Sequence, residues 1–168
     1  SKKYRFEIEG IFRPSWPPNG DKIAFIGNDG SRGDLYLFDI ETHEIKNLTN
    51  DWYSEDHVSW APDGESVYFI SDRGDDLSVG QIEIPYNYNV DQSDIYTLNL
   101  ESSHISRLTN TMWNETYPTV SGDGNYLAYI SDESGIANIM LLTDDTSTPI
   151  TNVATGITQL SWNGDDTQ

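Results

Sequence analysis

A short peptide motif returns at a regular interval along this 168-residue chain. Full copies lie at residues 15–20 (SWPPNG) and 59–64 (SWAPDG), and eroded copies lie at 119–124 and from 161 onward. A second marker, Leu/Ile-Thr-Asn, lies at residues 48–50, 108–110 and 150–152. From each of these asparagines, the next tryptophan-type position follows ten residues later. A fixed phase between two markers indicates one small unit repeated along the chain.

The length of the interval predicts the fold. Trp16 and Trp60 are 44 residues apart, and Val120 and Trp162 are 42 apart. Repeats of about 40–45 residues with four short strands each are typical of β-propeller blades. The step from Trp60 to Val120 is 60 residues, and its surplus falls between the second and third strands, at about 73–93. The sequence therefore predicts an all-β fold built from blades of four antiparallel strands.

The repeat divides the chain into three complete blades and two flanking pieces. We expect blade 1 at 11–50, blade 2 at 51–110 and blade 3 at 111–152. Residues 1–10 are expected to form the outer strand of a preceding or closing blade, and residues 153–168 to start a fourth. Closed propellers have about 4–8 blades. The expectation is a partial propeller or fragment, completed by missing blades or by another chain.

The charge of the chain restricts its partners. It carries 28 acidic and 9 basic residues, for a formal net charge of -19. Such a surface repels nucleic-acid phosphates and anionic lipids. No apolar run approaches the ~20 residues that a membrane helix needs, so we expect no membrane insertion. A salt-adapted (halophilic) host, a cation-rich extracellular medium and a basic partner remain as explanations of the acidity.

Catalytic and metal motifs are missing from the sequence. It contains neither Gly-x-Ser-x-Gly nor His-Glu-x-x-His, and it has no cysteine. We expect no catalytic residues and no cofactor. Asp72, Asp75 and Asp76 are weak Ca²⁺ candidates, because the complete calcium-loop pattern is absent. The alternative for Asp72 is a hydrogen bond to turn backbone.

Three tryptophans share one repeat position: Trp16, Trp60 and Trp162. We expect each ring to pack as a wedge between neighbouring blades, with its indole N–H bonded to a partner. Ligand stacking is the alternative.

Four residues are expected to contact a partner: Glu55, Glu115, Tyr86 and Tyr88. The two glutamates match each other, five residues before the tryptophan position, at the start of the innermost strand near the channel mouth. They are interpreted either as a carboxylate pair for a cation or basic peptide, or as solvated loop acids and caps. The two tyrosines lie in the surplus segment of blade 2, where Tyr and Asn suit adaptable protein contacts. The alternative is that this segment is a surface insertion without a binding role.

The motif Ser-Trp-x-Pro-[Asp/Asn]-Gly, an apolar strand ending in Ser-Asp (71–72 and 131–132), and Leu-Thr-Asn together resemble the TolB-type propeller repeat. The resemblance covers residues 11–168, with departures at 120–122, at 163–164 and in the surplus segment. TolB-family propellers are periplasmic and bind other envelope proteins. Similar blades form the non-catalytic propellers of prolyl oligopeptidase-group and tricorn-like peptidases.

The resemblance implies a non-catalytic protein- or peptide-binding scaffold in a periplasmic or extracellular protein. Two alternatives stay open. One is the substrate-gating accessory propeller of a serine peptidase whose catalytic domain is absent from the chain. The other is a surface-layer or filament module of a salt-adapted organism. Blades serve many activities, so the repeat predicts the fold better than the function.

Overall fold

A computed structural model describes residues 8–28, 30, 32–80, 83 and 90–162. Regular secondary structure in these residues is entirely β-strand. The strands are β1 (Gly10–Ser15), β2 (Lys22–Asn28), β3 (Gly33–Asp39), β4 (Ile45–Asn47), β5 (Glu55–Trp60), β6 (Ser66–Ser71), β7 (Asp94–Asn99), β8 (Ile105–Arg107), β9 (Glu115–Val120), β10 (Leu127–Ser131), β11 (Asn138–Thr143) and β12 (Thr146–Pro149). The described part of the chain contains no helix with the length and apolar character to cross a membrane.

The strands form three sheets of four, ordered β1-β2-β3-β4, β5-β6-β7-β8 and β9-β10-β11-β12. Every neighbouring pair is antiparallel, so each sheet is a meander in chain order. Equivalent central pairs recur in the three sheets: Phe25 with Tyr36, Phe69 with Tyr96, and Tyr129 with Met140. The predicted all-β fold with four-stranded antiparallel blades, arranged as a partial propeller, is confirmed.

The repeated tryptophan-glycine motif closes the turn after each innermost strand. The backbone N–H of Gly64 donates to the carbonyl of Ala61 at 3.0 Å, and that of Gly20 donates to Pro17 at 3.1 Å. Gly64 has a φ of 72°. Glycine adopts this left-handed conformation without a Cβ clash, which explains why the motif ends in glycine.

The core lies between the sheets. One cluster joins the first two sheets through apolar side chains that include Ala24, Ile26, Leu35, Val58, Val67 and Phe69. A second cluster joins the second and third sheets through Ile70, Ile95, Leu127, Tyr129 and Met140. Burial of apolar area between faces stabilises the stacking, as expected for blades that each have two packed faces.

The three matched tryptophans have different surroundings. Trp60 is 8% exposed and packs between the first two sheets, where its Nε1–H donates to the Ser15 carbonyl at 3.0 Å. Trp162 is half-buried and stacks on Tyr126, with ring centroids 6.4 Å apart. Trp16 is 58% exposed among the described residues, and its expected packing against a neighbouring blade stays a prediction. Its side of the first sheet is the one that no other described sheet covers.

Candidate binding site at the propeller axis

Each innermost strand carries a residue with left-handed backbone at the same repeat position. These residues are Arg13 (φ 52°), His57 (φ 46°) and Tyr117 (φ 54°). The strand pairing shifts register at the same place in all three sheets. A bulge of this kind turns a side chain away from the regular pleat. Left-handed backbone is uncommon in residues other than glycine, and its threefold recurrence marks this position as a candidate site.

The bulges bring three side chains from three blades together. The rings of His57 and Tyr117 have centroids 4.0 Å apart. The Arg13 guanidinium lies 5.4 Å from the centre of the Tyr117 ring, and its Nη1 donates to the Tyr117 hydroxyl at 3.5 Å. Arg13 Nε also donates to Asp56 Oδ1 at 3.4 Å. Residues far apart in the chain therefore meet where the innermost strands converge, at the propeller axis.

A cavity of about 380 Å³ opens beside this cluster. It is lined by residues 13–15 of β1, 57–59 of β5, 117–119 of β9 and 159–161 of the following segment. A second cavity, of about 470 Å³, is lined by the tryptophan-glycine turns of the same three blades. Because each blade contributes equivalent residues to both cavities, both lie along the axis.

Two polar side chains in the axial cavity have no hydrogen-bond partner among the described residues. His57 is 9% exposed, and neither of its ring nitrogens makes a hydrogen bond. The buried Ser59 hydroxyl is also unpartnered. His57 Nδ1 lies 3.2 Å from Asp56 Oδ2, close enough for a charge contact but not aligned as a hydrogen bond. Buried polar groups usually have partners, so these atoms make the cavity a candidate binding site.

Asp56 contacts both Arg13 and His57 in this cluster. Partial burial acts to raise the pKa of its carboxyl, but contacts with His57 and Arg13 outweigh burial and lower the pKa. The carboxylate also accepts the backbone N–H of His57 at 2.8 Å. It therefore stays ionised and holds both Arg13 and the bulged backbone in place.

Glu55 occupies the first position of the innermost strand β5, but its side chain is only 2% exposed. Its carboxylate accepts hydrogen bonds from Thr49 and Ser71, each at 2.9 Å, and from Arg73 at 2.7 Å. Arg73 also donates to Asp51 at 3.0 Å. Burial raises the pKa of Glu55 to about 7; Arg73 opposes that rise and Asp51 adds to it.

Glu115 has the matching place at the start of β9 and is 1% exposed. It is bonded by the hydroxyls of Thr109 at 3.2 Å and Thr111 at 2.6 Å. Burial raises the pKa of Glu115 to about 8, with the Thr111 hydrogen bond opposing the rise and Asp94 adding to it. The nearby Arg107 donates to Asp94 at 2.6 Å.

The burial of Glu55 and Glu115 agrees neither with the expected partner contact at the channel mouth nor with the alternative of solvated loop acids. Both carboxyls are turned into the protein and are satisfied by hydroxyl groups, with Arg73 added at Glu55. A carboxylate that is covered and fully bonded has little to offer a partner. Arg73 is the residue that the sequence did not single out, since it sits in a glycine turn that resembles an ordinary exposed loop.

The threonine of the Leu-Thr-Asn marker explains this burial. Thr49 Oγ1 accepts the backbone N–H of Leu35 at 3.1 Å and lies within hydrogen-bonding distance of Asp34 and Glu55. The equivalent threonine of the second blade bonds Ile95, Asp94 and Glu115 in the same way. The marker thus joins the outer part of one blade to the innermost strand of the next.

The other predicted site residues divide into two groups. Tyr86 and Tyr88 lie outside the described residues, in the connection between β6 and β7, so their role stays a prediction. Of the calcium candidates, Asp72 accepts the backbone N–H of Ser54 at 2.8 Å, which favours the alternative of a backbone hydrogen bond. Asp75 pairs with an arginine of β8, and Asp76 accepts from Ser78 and a buried tyrosine.

A different group of acids lies closest together in the described structure. Carboxylate oxygens of Asp34, Asp51 and Glu55 fall within 4.8 Å of one another. The Arg73 guanidinium already pairs with two of the three. This group is therefore interpreted as an ion-pair network rather than a metal centre.

Comparison with known proteins agrees with this fold. No protein-family profile matches the chain. The peptidase YuxL of Bacillus subtilis, itself uncharacterized, is 25% identical over 81% of this chain and 23% of its own length. The Tol-Pal system protein TolB of Francisella tularensis is 26% identical over 59% of this chain and 20% of its length. The solved structure of a TolB-like protein from Agrobacterium tumefaciens superposes with a TM-score of 0.75 at 18% identity, covering 96% of this chain and 57% of that one.

The chain spans less than two fifths of the length of the curated relatives that it matches. Likeness at this level of identity concerns the fold. Three four-stranded sheets, the shared repeat markers and the superposition agree with one another. The chain has the fold of part of a TolB-type β-propeller, and the resemblance predicted from its repeats is confirmed.

Proposed function

We propose that this chain is a non-catalytic, TolB-like propeller segment that binds a protein or peptide at the axial cavity. The observation that carries the proposal is the meeting of Arg13, His57 and Tyr117 from three blades at one cavity, with His57 Nε2 unpartnered among the described residues. Binding sites on rigid scaffolds are typically concave, with a few convergent polar groups. The hydrogen-bonded innermost strands fix these groups at their bulges, which favours precise recognition over adaptability.

A binding role fits these groups better than catalysis. His57 and Ser59 line the same cavity, yet no hydrogen bond joins them. Hydrolases that use a serine need such a contact between nucleophile and base. The resemblance to TolB proteins supports an extracytoplasmic location, periplasmic or extracellular, where an acidic surface meets abundant cations.

The residues proposed for partner contact differ from those expected from sequence. Arg13, His57 and Tyr117 replace Glu55 and Glu115, which are buried in the protein. Tyr86 and Tyr88 are retained as a second contact region on the surplus segment. Replacing both tyrosines with alanine should weaken partner capture without lowering the melting temperature. Unchanged affinity would remove this segment from the proposal.

A selection from a random peptide library displayed on phage tests the main site. Peptides enriched on the wild-type protein should lose binding to His57→Asn, because asparagine keeps the left-handed backbone but not the ring. His43→Asn is the matched control, since His43 is an exposed histidine with φ 64° in an outer turn. A selection without enrichment, or equal binding to both variants, would contradict the proposal.

A second candidate is the accessory propeller of a serine peptidase. The similarity to YuxL, a peptidase by name that matches 81% of this chain, favours it. The gene surrounding this sequence decides between the two. A downstream segment with Gly-x-Ser-x-Gly in the same reading frame would support the peptidase, and its absence would leave the binding scaffold.

A further inference from the structure

We propose that the axial cavity holds a carboxylate group of its ligand, bound by Arg13 and Tyr117 beside the ring of His57. The inference rests on the proposed function for the position of the site and adds the chemical class of what binds there. Its basis is a group of hydrogen-bond donors around the Arg13 guanidinium, in a cavity whose lining contains no acid.

The lining of the cavity is free of acids in a strongly acidic protein. The chain has 28 acidic residues and 9 basic ones. None of the twelve residues that line the cavity is Asp or Glu, and one of the nine bases, Arg13, is among them. Asp56 pairs with this base and lies 3.2 Å from His57 Nδ1, but it lines the neighbouring cavity between the first two blades and not the axial one. The axial cavity therefore presents the guanidinium without a carboxylate in its own lining.

The polar groups at the cavity are donors with spare capacity. The Tyr117 hydroxyl accepts from Arg13, so its own hydrogen can point to a ligand. The guanidinium uses one N–H on Tyr117 and one on Asp56, which leaves three of its five for other acceptors. The buried hydroxyl of Ser59 adds a donor without a partner among the described residues. Several donors around one cation suit an oxyanion.

A carboxylate fits this set better than a phosphate. The arginine offers a planar pair of N–H groups that matches the geometry of one carboxylate, and its charge is already shared with Asp56, which favours a ligand of low negative charge. A phosphate dianion would keep an uncompensated negative charge in a cavity whose other donors are neutral groups. The cavity has room for about a dozen waters at ~30 Å³ each, so its volume of about 380 Å³ admits a small acid or an acidic side chain with its neighbours.

Histidine proton NMR offers a direct test, because the chain has three histidines and only His57 lines the cavity. Glutarate should shift the His57 ring resonances with saturation, while those of His43 and His104 stay in place. Glutaramide, its neutral isostere, should leave all three unchanged. An unmoved His57, an equal response to glutaramide, or tighter binding of inorganic phosphate than of glutarate would overturn the proposal.

Two variants, each of which removes one positive charge, make the test more specific. Arg13→Gln should weaken glutarate binding at least tenfold, the effect of losing a charged hydrogen bond. Lys46→Gln removes an exposed charge of β4 and should leave the affinity unchanged. The Arg13 side chain is 44% exposed, so its replacement should leave the fold intact. Equal losses in both variants would show a general charge effect and contradict the site.

Capped peptides identify the source of the carboxylate and separate this proposal from the proposed function. Shifts of His57 with acetyl-Gly-Glu-Gly-amide but not with acetyl-Gly-Gln-Gly-amide support an acidic side chain of a partner. Shifts with glutarate alone support a free small acid. If peptides from the phage selection bind at His57 without any acid and glutarate does not bind, the carboxylate assignment fails while the binding scaffold stands.

Discussion

The indole Nε1–H of Trp60 donates a hydrogen bond to the Ser15 carbonyl across the boundary between the first two blades, at 3.0 Å. This bond gives Trp60, a tryptophan of the repeat, a structural role. It ties the ends of two neighbouring innermost strands, β1 and β5, to each other beside the axial cavities. The geometry of the candidate site therefore depends on contacts between blades.

Trp60→Phe should lower the free energy of unfolding by about 1–3 kcal/mol, because it removes the donor to Ser15 and leaves a gap in a buried site. Trp16→Phe is the matched control at the equivalent, exposed position and should change stability by less than ~0.5 kcal/mol. Urea unfolding followed by circular dichroism measures both. Equal effects would mean that Trp60 does not join the blades.

Arg73→Met should destabilise the protein by about 3–5 kcal/mol at pH 8, because the buried Asp51 and Glu55 lose their cation and must either stay charged without it or take up protons that the unfolded chain does not hold at this pH. Adding Glu55→Gln to this variant should recover part of the loss. The loss should also shrink at pH 5, where protonation neutralises the buried acids. An Arg73→Met variant as stable as the exposed-site control Lys46→Gln would refute the ion-pair network.

The buried carboxyl of Glu115 should make the free energy of unfolding depend on pH. Burial, with Asp94 adding to it, raises the pKa of Glu115 from 4.5 to about 8, against the opposing Thr111 hydrogen bond. The folded protein therefore binds this proton more tightly than the unfolded chain does, and stability falls as pH rises between these values, by up to ~1.4 kcal/mol per pH unit.

Glu115→Gln should flatten this part of the pH profile and gain stability relative to wild type between pH 5 and pH 9. The control is Glu101→Gln, in an exposed turn, which should leave the profile unchanged. Urea unfolding at pH 5, 7 and 9 gives the comparison. A Glu115→Gln profile parallel to that of wild type would show that the carboxyl does not titrate as proposed.

Gly33 lies where β3 of the first blade meets the second blade. A Cβ there would stand 2.7 Å from the Glu55 carbonyl oxygen and 2.9 Å from Ile26 Cγ2. Gly33→Ala should therefore cost about 1–3 kcal/mol of stability through forced separation of the blades. Gly30→Ala, in the same loop with open space around it, should be tolerated. A melting temperature shared by both variants would contradict the close approach.

The fold could be predicted because each blade repeats its turn and strand chemistry. The glycine of the tryptophan-glycine motif has a required backbone conformation, and the apolar strands recur at a constant spacing. Such signals are local, so they can be recognised in a single sequence. The exposure of Trp16 was not predictable in this way, because it depends on what covers the sheet and not on the repeat itself.

The candidate site was less predictable. The start of β5 at Glu55 agrees with the prediction, but the direction of the Glu55 side chain depends on hydrogen bonds from Thr49 and Arg73, which the repeat pattern does not reveal. The axial cluster was missed because Arg13, His57 and Tyr117 share a position and differ in residue type. Comparing side chains three residues before each tryptophan-type position would have found it.

The convergence of the innermost strands underlies the site, its proposed function and its proposed ligand. A nuclear Overhauser effect between ring protons of His57 and Tyr117 measures it most directly, because these residues belong to different blades and their ring centroids are 4.0 Å apart. We expect a strong cross-peak between the two rings. Complete assignment of both rings without any cross-peak would contradict the axial arrangement.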